Sequence, residues 1–320
     1  MAESLPLDLL IARLPGISHR ARITLIETFS DEAELRSAKP ADLKEMLGCR
    51  SMPRWDFAEL GRKAGEDGRK AKLRGLGWVS WRSSRYPPLL REIYDPPAVL
   101  FFRGRLPDAE RPMVAVVGTR RPSPEAARQG GILSRELALG GIPTVSGLAL
   151  GIDALAHRGC VEGGAATFAV LGSGADEVFP ASNRPLARRV LESGGGLLSE
   201  YPPETAPTKW SFPQRNRIVA GLARGVLIVE APEKSGALIT ARLALEQNRD
   251  VWVAAVGIGE AAGFDRRGTQ RLVEQGAEVV YSASDVFKMW DLPSGIPKMP
   301  QGSEVRSSVA SLALSLGVEL

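Results

Sequence analysis

Between residues 113 and 290 one pattern recurs: a short unbroken apolar run, a loop of small residues, then an amphipathic segment of helix length. The runs are MVAVVG (113–118), GIPTVSG (141–147), ATFAVLG (166–172), GGLLSE (195–200), GVLIVE (225–230), VWVAAVG (251–257) and AEVV (277–280). A strand with one wet face alternates apolar and polar residues, and these do not. Both faces must therefore be covered, as when helices pack on the two sides of a parallel sheet. The expected fold is α/β: an extended Rossmann-like, doubly wound and mostly parallel sheet.

Residues 1–75 read as a small all-α unit of the SAM-like or helix-hairpin-helix kind. LDLLIARL, SHRARITLIETF, DEAELRSA and ADLKEMLG are short amphipathic helices, with Ser18 and Asp31 as N-caps. Residues 76–112 read as a strand, a Pro-rich turn, a short helix and a strand, a connector packing on the sheet domain. The sheet domain is expected over 76–290. Residues 291–320 are Pro/Ser/Gly-rich and read as a linker or tail.

Composition removes several classes of function. Two cysteines, Cys49 and Cys160, make no disulfide framework, and with two histidines, His19 and His157, they make no metal-ligand spacing. No signal peptide and no apolar run of membrane-spanning length is visible, so a cytoplasmic protein is expected. Net charge is +4, compatible with a polyanionic partner.

Ligands of open α/β sheets bind at the carboxyl ends of the strands, so the loops carry the functional argument. After the first run come Gly118, Thr119, Arg120 and, two residues on, Ser123. The glycine permits a sharp turn, the hydroxyls sit near a helix N-terminus, and Arg120 offers a planar cation suited to phosphate. After the second run, Ser146, Gly147 and Gly151 frame a tight turn into a helix headed by Asp153. Its bare amides suit an anion, while Asp153 and His157, four apart, read as a helix-stabilising pair. After the fifth run, Ser235 and Gly236 supply an N-cap and free amides.

Ahead of that fifth run lies KWSFPQRNRIVAGLARG. It reads as a cationic loop that exposes Phe212; Trp210 suits core or surface equally. Several anion cradles with Lys209, Phe212, Arg215, Asn216 and Arg217 beside them exceed what one nucleotide needs. Cations tracking a backbone and rings for unstacked bases suit single-stranded nucleic acid. Glu200 and Glu230 are the acids at this edge, with Glu230 expected to pair with Arg217. No nucleophile stands beside a positioned base, so no catalytic residue, metal or cofactor is assigned. The enzymatic alternative, a nucleotide or nucleoside-monophosphate hydrolase, would rely on Glu230 or Glu200.

VAVVGTRRPS, TVSGLALGIDALAHRG, TFAVLGSGADEVFPASN, LLSEYPPET, FPQRNRIVAGLA and VLIVEAPEKSGALITARLALEQNRDVW together resemble the DNA-processing protein DprA (Smf) family over residues 76–290. The resemblance implies a homodimer that binds single-stranded DNA without strong sequence preference and helps load RecA during natural transformation, with no enzymatic activity. It implies a phosphate contact at Arg120, and a charged pocket with a base-stacking ring at Lys209 and Phe212, Arg215 and Arg217 alongside. Leu150 stands where the family has an arginine, Val256-Gly257 where it has Pro-Gly, and Gln270 where it has an asparagine. The winged helix often found at the C-terminal side in the family is expected to be absent after residue 295.

Overall fold

The computed structural model of the protein describes residues 7–51 and 53–293. The expected tail and the expected lack of a winged helix thus fall, from residue 294 on, outside the described residues.

All seven apolar runs are strands: β3 (Val114–Val117), β4 (Thr144–Ser146), β5 (Thr167–Val170), β6 (Gly196–Ser199), β7 (Gly225–Ile228), β8 (Asp250–Ala254) and β9 (Glu278–Val280). Two more precede them, β1 (Gly77–Ser80) and β2 (Val99–Gly104). The nine form one sheet in the order β1-β2-β6-β5-β4-β3-β7-β8-β9. Pairing from β6 through to β9 is parallel; β2 is antiparallel to both β1 and β6.

The lack of alternation now has its cause. Val114, Val116, Leu227 and Val229 pack on one side of the sheet with α7 (Pro124–Leu139), α8 (Ile152–Glu162) and α13 (Ala283–Met289). Ala115, Val117, Val226 and Ile228 pack on the other with α10 (Ser211–Leu222) and α11 (Gly236–Glu246). Successive strands run outward from β3 to β6, then resume at β7 on its opposite side. The switch point therefore lies between β3 and its neighbours, where such sheets open a crevice at their carboxyl edge.

Residues 76–112 are more than a connector: β1 and β2 extend the sheet itself. Leu100 and Phe102 belong to the core of one face, and Val99 and Phe101 lie beneath the N-terminal helices. A six-residue strand with apolar residues on both faces is stable only when both are covered.

The N-terminal helices are α1 (Leu7–Arg13), α2 (His19–Thr28), α3 (Glu32–Ser37) and α4 (Pro40–Met46). Ser18 Oγ accepts from the Ala21 amide at 3.1 Å and Asp31 Oδ1 from the Glu34 amide at 2.8 Å, as capping requires. A fifth and longer helix, α5 (Phe57–Leu73), completes the layer. Leu10, Ile11, Ile23, Leu25 and Ala64 share one core with Val99 and Phe101 of the sheet. Among the described residues no helix is long and apolar enough to cross a membrane.

Candidate nucleic-acid interface

The segment expected as a basic loop is the helix α10. Thr208 and Ser211 exchange bonds just before it: the Thr208 amide donates to Ser211 Oγ at 3.0 Å, and the Ser211 amide to Thr208 Oγ1 at 3.1 Å. Pro213 falls in the first turn, where its missing N–H costs nothing. Arg215, Ile218, Val219 and Leu222 are all buried, the i, i+3, i+4, i+7 spacing of an inward helix face.

The start of α10 closes a cleft of about 540 Å³ at the switch point. Its other walls are the ends of β3 and β4 and the loop from β7 into α11. Ten of the fourteen expected binding residues line it: Gly118, Thr119, Arg120, Gly147, Lys209, Phe212, Arg215, Asn216, Ser235 and Gly236. Ser123, Ser146, Gly151 and Arg217 are not in its lining.

Arg215 is a strut. It is buried, and its Nη1 donates to the Gly147 carbonyl at 2.6 Å and to that of Val170, tying the ends of β4 and β5 to α10. A Cβ on Gly147 would come within 2.0 Å of the guanidinium, so this approach requires glycine. Asp153 lies 4.0 Å from Arg215. Its carboxylate accepts the Gly147 and Ala149 amides at 3.2 and 3.4 Å. Those amides, expected to be bare, are thus already occupied. Burial first pushes the Asp153 carboxyl above its ordinary range, opposed by the Arg215 charge.

Asp153 and His157 do not form the expected pair. His157 points into the protein and shares a 2.8 Å hydrogen bond with Thr167 Oγ1. Burial, then the nearby Arg215 charge, lowers its pKa to about 3.

The expected bond between Glu230 and Arg217 is also absent. Glu230 is 1% exposed and caps the start of α7, accepting the Ser123 amide at 2.7 Å and the Ser123 hydroxyl at 2.8 Å. Its cation is Arg266, whose Nε donates at 2.8 Å. A carboxylate at a helix N-terminus satisfies free amides and the helix dipole together. Arg217 points instead towards the N-terminal helices, donating from both terminal nitrogens to Glu200 at 2.8 and 2.7 Å. Neither acid required by a hydrolase lines the cleft.

The remaining absentees are structural. Ser146 Oγ donates to the Val116 carbonyl at 2.7 Å. Gly151, at φ +77°, lets the β4 loop pass against Thr119 and Arg120. Val256, Gly257 and Gln270 also lie outside the cleft lining.

Three exposed cations stand around the opening: Arg120, Lys209 and Lys234. None has a carboxylate partner among the described residues. Arg120 lies 5.9 Å from the ring centre of the half-buried Phe212, and Lys209 lies 5.0 Å from that of Trp210, which is 68% exposed. Phe179, also exposed, places its ring 5.7 Å from Phe212. Lys234 and Phe179 were missed from sequence. Both lie in loops, EKSG and FPASN, where composition alone does not reveal which way a side chain faces.

Residues 78–291 match the family described as DNA recombination-mediator protein A. The chain belongs to that family. It is 40% identical over 216 residues to the DNA processing protein DprA of Bacillus subtilis, covering 67% of this chain and 71% of the relative. It is 44% identical over 225 residues to protein Smf of Synechocystis, covering 68% and 54%. Among solved structures, DprA from Streptococcus pneumoniae superposes with a TM-score of 0.70 at 32% identity, over 88% of this chain and 95% of that one. DprA from Helicobacter pylori, described for its single-stranded DNA-binding mode, superposes with a TM-score of 0.59 at 30% identity, over 67% and 95%.

Proposed function

We propose that this chain binds single-stranded DNA in the switch-point cleft and serves as a recombination mediator, not as an enzyme. The observation that carries the reading is the opening itself: Arg120, Lys209 and Lys234, which meet no carboxylate among the described residues, interleaved with the rings of Phe212 and Trp210. Family membership and the single-stranded DNA-binding mode described for the Helicobacter relative support it. The hydrolase reading loses its acids, because Glu230 and Glu200 are held by Arg266 and Arg217.

In this reading Arg120 and Lys209 contact phosphates and Phe212 stacks on a base. Arg215 is a positioning residue, and Asn216 braces the α11 loop through its 3.3 Å bond to the Gly236 carbonyl. Hand-over to a RecA-type recombinase, in keeping with the family's description as mediators, and function as a homodimer in the cytoplasm complete the proposal.

The test is fluorescence anisotropy of a labelled oligo-dT, its duplex and a mononucleotide, titrated over salt. Salt-sensitive binding that favours the single strand is expected. Binding of the mononucleotide alone would overturn the reading.

A further inference from the structure

We propose that a single strand leaving the cleft continues across Phe179 and onto Arg184 and Arg188 of α9 (Arg184–Glu192). This rests on the nucleic-acid reading of the cleft and extends its reach.

The path begins at a ring. Phe179 is 51% exposed, and its only ring neighbour among the described residues is Phe212 of the cleft, tilted at 41°. A half-exposed phenylalanine forgoes about half of the gain of burial. Beside a second ring it offers an adjoining face to the next unstacked base. From Phe179 the chain runs five residues to Arg184. Asn183 anchors this turn on the cleft, donating to the Leu148 carbonyl at 2.9 Å and the Ala149 carbonyl at 3.3 Å. Ala149 itself lines the cleft.

The charge on α9 is placed against the helix's own interest. Arg184 occupies the first helical position, where the dipole disfavours a cation, and no acid stands in the first turn. Arg188 comes four residues later on the same face, where like charges repel. Both are exposed, and neither meets a carboxylate among the described residues. Arg62 and Arg242, exposed on other helices, are by contrast paired four residues on, with Glu66 and Glu246. Unneutralised cations adjoining a cationic cleft, with a ring between them, match the demands of a phosphodiester chain with unstacked bases.

The experiment compares fluorescein-labelled dT6 and dT24 on the full chain, for wild type, for Arg184→Ala with Arg188→Ala, and for Arg184→Lys with Arg188→Lys. In the alanine variant, dT6 affinity should hold within about twofold, whereas dT24 affinity should fall about tenfold at low salt. The dT24 salt slope should drop by about 1.4, from two lost contacts at about 0.7 each for a single strand. The lysine variant should keep the wild-type slope. Unchanged dT24 affinity and slope in the alanine variant would overturn this inference alone. A wild-type chain that binds neither oligonucleotide would take down the cleft reading, and this one with it.

Discussion

At the scale of the residue, the cleft separates side chains that face its opening from those that hold its walls. Arg120→Ala and Lys209→Ala should each weaken oligo-dT binding on every sequence and flatten the salt slope by about 0.7; an unchanged slope would remove that residue from the phosphate contacts. Phe212→Ala should cost about 1–3 kcal/mol of single-strand affinity with the thermal midpoint retained; a collapse in stability would instead assign the ring to the core. His157 carries a pH prediction. Its folded pKa, about 3, lies below its ordinary 6.5. The unfolded chain takes the proton first, so this contribution is full above pH 6.5 and is lost as pH falls towards 3. Between pH 7 and 5 the loss should approach about 2 kcal/mol. Urea titrations should show His157→Gln losing less over that range, and equal losses would place the effect elsewhere. Arg120 and Lys209 were legible in sequence because an exposed cation beside a strand end needs no three-dimensional partner to be noticed. Arg215 and Arg217 look the same on paper. Only packing shows that one braces two carbonyls and the other holds Glu200.

At the scale of the element, the strands were legible to within three residues at either end because burial on both faces writes itself as an unbroken apolar run. Helix α10 was not, because its cap is Trp210 and its first turn carries Phe212, Pro213 and two polar residues, a composition typical of loops. Its period becomes readable only once Arg215 is accepted as an inward residue. Partner choice among charged side chains was the least legible level. Glu230 and Arg266 are 36 residues apart and meet only because α12 (Arg267–Glu274) begins beside the end of β7. That pair invites a test. Glu230→Gln leaves Arg266 buried, with the more exposed Glu125 3.4 Å away as its remaining acid. A loss of about 3–5 kcal/mol in urea denaturation is expected. A loss below about 1 kcal/mol would mean that Glu125 takes over.

At the scale of the whole molecule, one sheet joins what sequence divides into a helical module, a connector and a Rossmann-like domain. The helices over β2 share its core, and Arg217 of α10 reaches Glu200 beside His19 of α2. The cleft is also jointed mainly through backbone. Arg215 grips the Gly147 and Val170 carbonyls, Asn183 those of Leu148 and Ala149, Asn216 that of Gly236, and the Thr119 amide that of Glu230. Joints of this kind do not read the side chains of the loops they hold. The rim is consequently open to redesign, since its outward residues can be exchanged while the frame stays put. Leu150, 49% exposed on the β4 loop, is the place to begin. Leu150→Arg should fold with an unchanged thermal midpoint and steepen the salt dependence of oligo-dT binding by about 0.7, whereas a lowered midpoint would mean that the frame does read this loop after all. A graft tolerated there would make this cleft a chassis on which grip can be tuned one side chain at a time.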